Sequence, residues 1–281
     1  MAPRLRFVTD DRIINAKNGS ETIKVICAGL PRCATSSLQA ALEGPVIGIS
    51  PCMHMAHVAP HPDRLKLCLE AMAERGDATK RQGILRILFD GFAASADFPG
   101  ILFIDDLMDM YPDAAVILNT RPSAASWVKS FRDGISFFRS PVYKYLCLLW
   151  ETDRLHYKVH CEVRRLKFTE KFGTKSDIAT EDFYEAYNDW VRTEAKKRGR
   201  PVLEWQAQDG YAPICEFLGQ VVPDSGTRNL AFPHVNDSRQ MQILKAFLIA
   251  RGLLSWAVLG FSLWTAWKYG GSLLSGFKRW N

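Results

Sequence analysis

Several features that mark large functional classes are missing from this chain. Its seven cysteines (Cys27, Cys33, Cys52, Cys68, Cys147, Cys161 and Cys215) are scattered, odd in number and without a Cys-x-x-Cys pair. That argues against a disulfide framework or a zinc site and for a reducing compartment. The opening stretch MAPRLRFVTDDRIINAK has no apolar core and does not read as a secretory signal. No internal repeat, low-complexity segment or Pro/Ser-rich linker divides the sequence. Acidic residues are absent from 241–281, where Lys245, Arg251, Lys268, Lys278 and Arg279 supply +5 of the total +6. Residues 1–240 are therefore near +1, which excludes a general polyanion binder such as a nucleic-acid protein. At 281 residues and 47% hydrophobic content, the chain has room for one α/β domain with an appendage.

What is present concentrates in residues 22–42, TIKVICAGLPRCATSSLQAAL. Thr22–Ala28 is apolar or β-branched at most positions and reads as a buried parallel strand. Gly29-Leu30-Pro31-Arg32 makes a turn, and Cys33-Ala34-Thr35-Ser36-Ser37 leads into a helix-like LQAAL. A strand feeding a tight loop and a helix start aims free backbone N–H groups and the positive end of the helix dipole at one point. An arginine and three hydroxyls around that point suit a phosphate or sulfate; an ordinary strand–turn–helix with Ser and Thr as caps is the other reading. The NTP-binding pattern G-x-x-x-x-G-K-[ST] does not fit, because Ala34 stands at the second glycine and Thr35 at the lysine. A nucleotide kinase or NTPase is thereby disfavoured. The dinucleotide fingerprint G-x-G-x-x-G is also missing here.

Along the rest of the chain, Val46–Ile49 is expected to be a short second strand, followed by helices from about Pro62 and over Lys80–Asp90. Phe92–Pro99 reads as small and extended, with a helix around Ile101–Tyr111. Ala114–Asn119 is the clearest internal strand, closed by Thr120-Arg121-Pro122, with a helix from Ser123 for which Pro122 suits the first turn. Residues 140–200 read mainly helical, and Phe183, Tyr187, Trp190 and Val191 fall at core-facing helical spacing. Val202–Trp205 is a further parallel strand, and Ala212–Leu218 a helix closed by Gly219. Alternating strands and helices predict an α/β domain, a parallel sheet flanked by helices. The expected organisation is an N-terminal extension (1–21), a single domain (22–240) and a C-terminal tail (241–281).

A second anion site is expected at the end of Ala114–Asn119. In open α/β sheets ligands collect at the carboxyl ends of strands, which places Arg121 on the same crevice as Arg32 and Thr35. Ser130 follows nine residues after Arg121, and a guanidinium with a helix hydroxyl makes a forked phosphate clamp. Two anion sites on one crevice suit a nucleotide phosphorylated at two places, though an arginine after a strand is also a common surface ion pair.

The ordered blocks GLPRCATSSLQAALE, PCMHM, DFP, YPDAAVILNTRP with a following SW, LEWQAQDGYAPICEFLG and FPHVND resemble P-loop sulfotransferases. The similarity is greatest to the branch whose loop runs G-x-x-R-T-G-T-S-S-L. The resemblance implies 3′-phosphoadenosine 5′-phosphosulfate (PAPS) as donor and no metal. By position it implies that Arg32, Thr35, Ser36 and Ser37, with the backbone of Cys33 and Ala34, hold the 5′-phosphosulfate, and that Arg121 and Ser130 hold the 3′-phosphate. Cytosolic members of the family carry a histidine base in an H-x-P element. Asp97-Phe98-Pro99 stands at a comparable distance before Arg121, so Asp97 is the candidate base, or else a turn-forming aspartate before proline. His54 is the second candidate base; His57 and His61 are expected to face solvent. Arg32 is the candidate to neutralise charge on the bridging oxygen. Phe137, Phe138, Tyr143 and Tyr145 either line an apolar acceptor pocket or belong to the core. Cys33 and Ala34 depart from the family's Thr and Gly, and a Cβ at position 34 obstructs phosphate if φ there is positive. The alternative to an active enzyme is a catalytically degenerate P-loop fold serving as a membrane-associated binding or scaffold protein.

The tail supplies the membrane expectation. Gly252–Trp267 is uncharged over 16 residues, near the roughly 17–25 that a spanning helix needs. Trp256, Trp264, Trp267 and Tyr269 suit an interfacial belt, and the basic flanks suit headgroups. A helix packed on the domain or lying in the interface is the competing reading. Together these imply a cytoplasmic protein held on the cytoplasmic face of a membrane by one C-terminal segment, with a small or lipophilic hydroxyl acceptor and no nucleic-acid partner.

Overall fold

Val25-Ile26-Cys27 (β1) is fully buried and forms the middle of the sheet. The structure is a computed structural model that describes residues 7–8, 22–222, 231–235 and 238–277, the side chains of 238 and 270–277 excepted. Four further strands, Cys52–Met53 (β2), Ala94–Ser95 (β3), Ala115–Asn119 (β4) and Val202–Trp205 (β5), complete a five-stranded sheet in the order β2-β3-β1-β4-β5. Every pairing is parallel. The chain thus grows outward from β1 on both sides, which makes the carboxyl ends of β1 and β4 the switch-point crevice.

Side-chain alternation sorts the layers, as a period of two requires. Val25 and Cys27 pack with the helices Thr35–Glu43 (α1) and Ala212–Phe217 (α10). Ile26 and Ala28 face the larger core under Pro62–Ala73 (α2), Ala78–Leu88 (α3), Ile104–Met110 (α4), Ala124–Ile135 (α5), Glu151–Arg165 (α7), Phe168–Lys171 (α8) and Glu181–Lys197 (α9). Pro141–Leu146 (α6) and a 40-residue helix, Ser238–Phe277 (α11), pack together at one corner.

The expected second strand is displaced. Gly48 N–H donates to Gly44 O (2.8 Å) and Ile49 N–H to Leu42 O (2.8 Å), so Val46 and Ile47 fold back on the end of α1. The Gly48 and Ile49 amides are thereby unavailable to the sheet, and β2 forms further on at Cys52–Met53. The helix expected over Ile101–Tyr111 is split into a 3-10 turn, Gly100–Leu102, and α4. As expected, α5 starts at Ser123, whose Oγ accepts from Ser126 N–H at 3.2 Å as its cap; Pro122 precedes the cap and is not in the first turn.

The tail helix α11 spans about 60 Å at 1.5 Å per residue and changes character along its length. Met241, Leu244 and Leu248 are buried against Phe138, Tyr143 and Cys147. Arg251 pairs with Asp153 and lies 4.3 Å from the Trp150 ring centroid. Gly252 lets α11 touch α6, because a Cβ there would sit 2.6 Å from Leu146 O. Beyond it Leu253, Leu254, Val258, Phe261, Leu263, Trp264 and Trp267 are exposed. By length and composition, the 31 residues Arg239–Tyr269 could cross a membrane.

Candidate functional site at the switch point

The loop between β1 and α1 is fastened through its carbonyls. Asn119, at the end of β4, accepts from Gly29 N–H (2.9 Å) through Oδ1 and donates through Nδ2 to Cys33 O (2.7 Å). The Cys27–Ile117 register brings the two strand ends so close that a Cβ on Gly29 would lie 2.0 Å from Asn119 O. Trp127 Nε1 donates to Pro31 O (2.9 Å) and Arg121 Nε to Arg32 O (2.7 Å). Arg121 N–H in turn donates to the Tyr184 hydroxyl at 2.9 Å. With three successive carbonyls taken, Ala34–Ser37 line a cleft together with Arg32, Arg121 and the segment Phe232–Val235. The first amides of α1, which a helix cannot satisfy internally, belong to this wall. Val235 N–H donates to Ser37 Oγ (3.1 Å), so the FPHV segment straps the cleft; the Asn236-Asp237 end of that block lies outside the described residues. Phe232 gives it an aromatic side, backed by Trp205 and Tyr211 at ring-centroid distances of 4.9 and 5.0 Å.

The two departures in the loop differ in where they fall. Ala34 does adopt positive φ (+57°), at a cost of roughly 1–2 kcal/mol, but its methyl packs on the α1 core. Cys33 points into the larger core, 1% exposed, where burial pushes its thiol up to about 12. Cys33 is absent from the cleft wall, whereas Ala34 belongs to it.

Arg121 and Ser130 are drawn inward. Arg32 Nε donates to Ser130 Oγ at 3.2 Å, and Arg121 is committed through Nε to the loop carbonyl. Arg32 itself adopts φ +76°, and Gly134 on α5 makes room for it, since a Cβ there would stand 3.1 Å from Arg32 Nε. Burial, then the Arg121 charge, lowers the Arg32 pKa, though a guanidinium stays cationic.

Asp97 and His54 come together. Both are buried, with His54 Nε2 3.3 Å from Asp97 Oδ2 and 3.1 Å from Ser36 Oγ. Ala56 N–H donates to His54 Nδ1 (3.2 Å), which leaves the ring proton on Nε2, facing the carboxylate. Asp97 sits at φ +67°, a conformation aspartate tolerates better than most residues. His57 corrects the expectation of a solvent-facing ring: it is fully buried, edge-on to Phe92 at 5.4 Å. His61 is half-buried ahead of α2.

A second cavity, about 1200 Å³ including its open side, opens on the other flank of Arg32 and Thr35. Asp97, Phe98, Phe138, Tyr143, His156, His160 and side chains of α11 contribute to its largely apolar wall. Of the four aromatics expected there, Phe138 and Tyr143 line it, Phe137 packs behind them, and Tyr145 is 60% exposed on the outer surface. Sequence reasoning missed Asn119, Trp127, Gly134 and Tyr184, and gave no role to His156 and His160.

The family profile described as "Sulfotransferase domain" matches residues 24–241. The chain is also similar to Ava biosynthesis cluster protein M of Aspergillus versicolor, 29% identical over 221 residues, covering 76% of this chain and 80% of that protein. A parallel α/β sheet with a switch-point cradle and a profile match over most of the chain lead to one conclusion: this protein belongs to the sulfotransferase-domain family.

Proposed function

We propose that the protein is a PAPS-dependent sulfotransferase acting on a hydroxyl of a small or lipophilic acceptor. One observation carries this reading: a polar, amide-lined cleft and a largely apolar cavity share Arg32 and Thr35 as common wall. Group transfer needs two ligands meeting at one point, and this is the geometry it requires. The donor supplies an activated sulfuryl group. The residues fit it: the amides and hydroxyls of Thr35, Ser36 and Ser37 suit the 5′ end, and Phe232 offers a face for a base.

Asp97 is the base in this reading and His54 its positioning partner, so the two candidates act as a pair. The Nε2–H of His54 holds the Asp97 carboxylate toward the cavity, where it accepts the proton of the incoming hydroxyl. Arg32, at the junction, neutralises charge that develops on the leaving oxygen. Thr35 stands beside it with a hydroxyl and a helix-start amide. Arg121 and Ser130 are the proposed 3′-phosphate ligands and would turn their remaining donors outward.

The present engagement of Ser130 with Arg32, and of Arg121 with the loop carbonyl, favours a second reading, a degenerate fold that scaffolds at a membrane. Calorimetric titration with adenosine 3′,5′-bisphosphate in the absence of magnesium separates the two. The transferase reading expects binding that Arg121→Ala weakens at least tenfold; no binding, or binding indifferent to Arg121, leaves the scaffold.

Membrane attachment belongs to the same proposal. Val142, Tyr145, Leu148, Leu149 and Trp150 form an exposed apolar rim where α11 leaves the domain. Trp150 Nε1 donates to Ser255 Oγ (3.0 Å) and Trp256 Nε1 to Tyr145 O (2.8 Å), fixing the rim beside α11. Aromatic and apolar side chains at the root of an exposed apolar helix suit the bilayer interface. All seven cysteines are free and none is fully exposed, in keeping with a cytoplasmic face. Flotation with phosphatidylcholine vesicles tests the attachment: recovery in the unbound fraction rejects it.

A further inference from the structure

The apolar cavity has a wall residue from outside the sheet-and-helix domain. Phe7, in the stretch that the sequence assigns to an extension ahead of β1, lines it together with Met55, Asp97 and the α11 side chains Met241, Leu244 and Leu248. The Phe7 ring is half-buried and packs on two apolar clusters at once, the larger core and the corner where α6 meets α11. Val8 joins the second of these. The Phe7 ring centroid stands 6.0 Å from that of His54, with the planes tilted by 54°, within the range of aromatic contact.

This contact lies at the reactive end of the cavity. His54 Nε2 is 3.3 Å from Asp97 Oδ2, so Phe7 borders the pair at which an incoming hydroxyl arrives. The ring nitrogens of His54 face Ala56 N–H, Ser36 Oγ and Asp97. Those partners hold the polar edges of the imidazole, and Phe7 adds apolar packing to it. A phenyl ring without polar atoms does two things there: it fills space and it excludes water. Phe7 precedes, and Leu244 and Leu248 follow, the residues 24–241 that match the sulfotransferase profile, whereas the cleft is lined from within them. The donor end is thus built by the matched domain, and the acceptor end is finished by both of its flanks.

We propose that Phe7 is an acceptor-specificity residue. Its ring forms the wall beside the Asp97–His54 pair, admits apolar acceptors that are narrow next to the reacting hydroxyl, and rejects those that are broad there. A mismatch of one methylene in an apolar pocket changes discrimination by roughly tenfold or more, and a phenyl ring is larger than that. Naming the ligand an acceptor rests on the transferase reading; the wall itself does not.

Two measurements on the full chain in detergent micelles test this. Fluorescence titrations compare 2,6-dihydroxynaphthalene, narrow beside its hydroxyls, with 1-hydroxypyrene, broad beside its own. Phe7→Ala is expected to shift the ratio of affinities toward 1-hydroxypyrene by about tenfold, and Phe7→Leu by a smaller factor in the same direction. A ratio that neither variant changes, or no binding of either compound, overturns the proposal. The affinity for adenosine 3′,5′-bisphosphate is expected to stay as in the wild type; a loss of the same size in Phe7→Ala would mean that Phe7 supports the whole fold, and also overturns it. In spectra of histidine-labelled protein, Phe7→Leu is expected to move the His54 ring-proton signals and leave those of His234 in place. An unmoved His54 signal removes the contact on which the wall depends. Should adenosine 3′,5′-bisphosphate fail to bind the wild type while the affinity ratio still responds to Phe7, the transferase reading falls and the wall stands.

Discussion

The cleft and the cavity that meet at Arg32 and Thr35 are built by opposite means. The cleft owes its character to backbone: consecutive residues Ala34–Ser37 present amides because Trp127, Arg121 and Asn119 hold the preceding carbonyls. The cavity owes its character to side chains brought from far apart, with Asp97 after β3, Phe138 after α5, His156 and His160 on α7, and Leu244 on α11. A backbone cradle tolerates a change of side chain such as Cys33, which is buried in the larger core and is no part of the cleft wall. A side-chain cavity is free to vary its ligand through wall residues remote from the loop, such as Phe138, Phe168 and Leu244, while Trp127, Arg32 and Thr35 serve both regions.

The largest expected effect separates the two regions outright. Asp97→Asn is expected to lower kcat for sulfuryl transfer to 2,6-dihydroxynaphthalene by about 10²–10⁴-fold. The affinity for adenosine 3′,5′-bisphosphate should stay unchanged, and a parallel loss of affinity would mean that Asp97 serves the cleft. Next comes acid, which attacks the cavity first. His156 has a folded-state pKa held near 4 against an ordinary 6.5, so its contribution to stability is complete above about 6.5 and is lost as pH falls toward 4. The shift corresponds to about 3 kcal/mol, with His160 adding in the same direction. Urea unfolding at stepped pH should show this decline, and His156→Phe should flatten it. Asn119→Ala, which orphans Gly29 N–H and Cys33 O together, should cost about 1–3 kcal/mol in the same unfolding assay and weaken nucleotide binding. Diol binding in the cavity should survive. The smallest effect is expected for Ser37→Ala, which releases Val235 N–H at a cost of about 1 kcal/mol, a severalfold loss of nucleotide affinity with the cavity untouched.

The same difference in construction decides what could be read before folding. The cradle was legible because strand, loop and helix follow one another in sequence, and hydrophobic run, glycine and hydroxyls keep their order. Asn119 looked like the polar end of a strand; its role exists only once Cys27 pairs with Ile117 and brings Gly29 alongside. Val46–Ile49 had the composition of a strand, but the Gly44 and Leu42 carbonyls captured the amides of its Gly48 and Ile49. His57 carried no periodic signal in its loop, so nothing in the sequence marked it for burial against Phe92. Tyr145 shared its neighbourhood with the cavity residues and yet faces outward, because α6 presents Tyr143 to the core and Tyr145 to the rim. The apolar tail was plain as a run of residues; its first turns serving as cavity wall was not, since Met241, Leu244 and Leu248 acquire meaning only from what they touch.

That shared use of α11 has a consequence for the membrane itself. A helix seated in lipid adjusts its tilt and depth to the thickness of the hydrocarbon layer. Here Gly252 is pressed against Leu146, Arg251 is tied to Asp153, and Met241, Leu244 and Leu248 close the cavity, all on the same rigid rod. Any adjustment at the lipid end is therefore transmitted to the acceptor end. Once α11 is embedded as proposed, bilayer thickness becomes a variable of acceptor affinity, and the composition of the host membrane part of the protein's specificity.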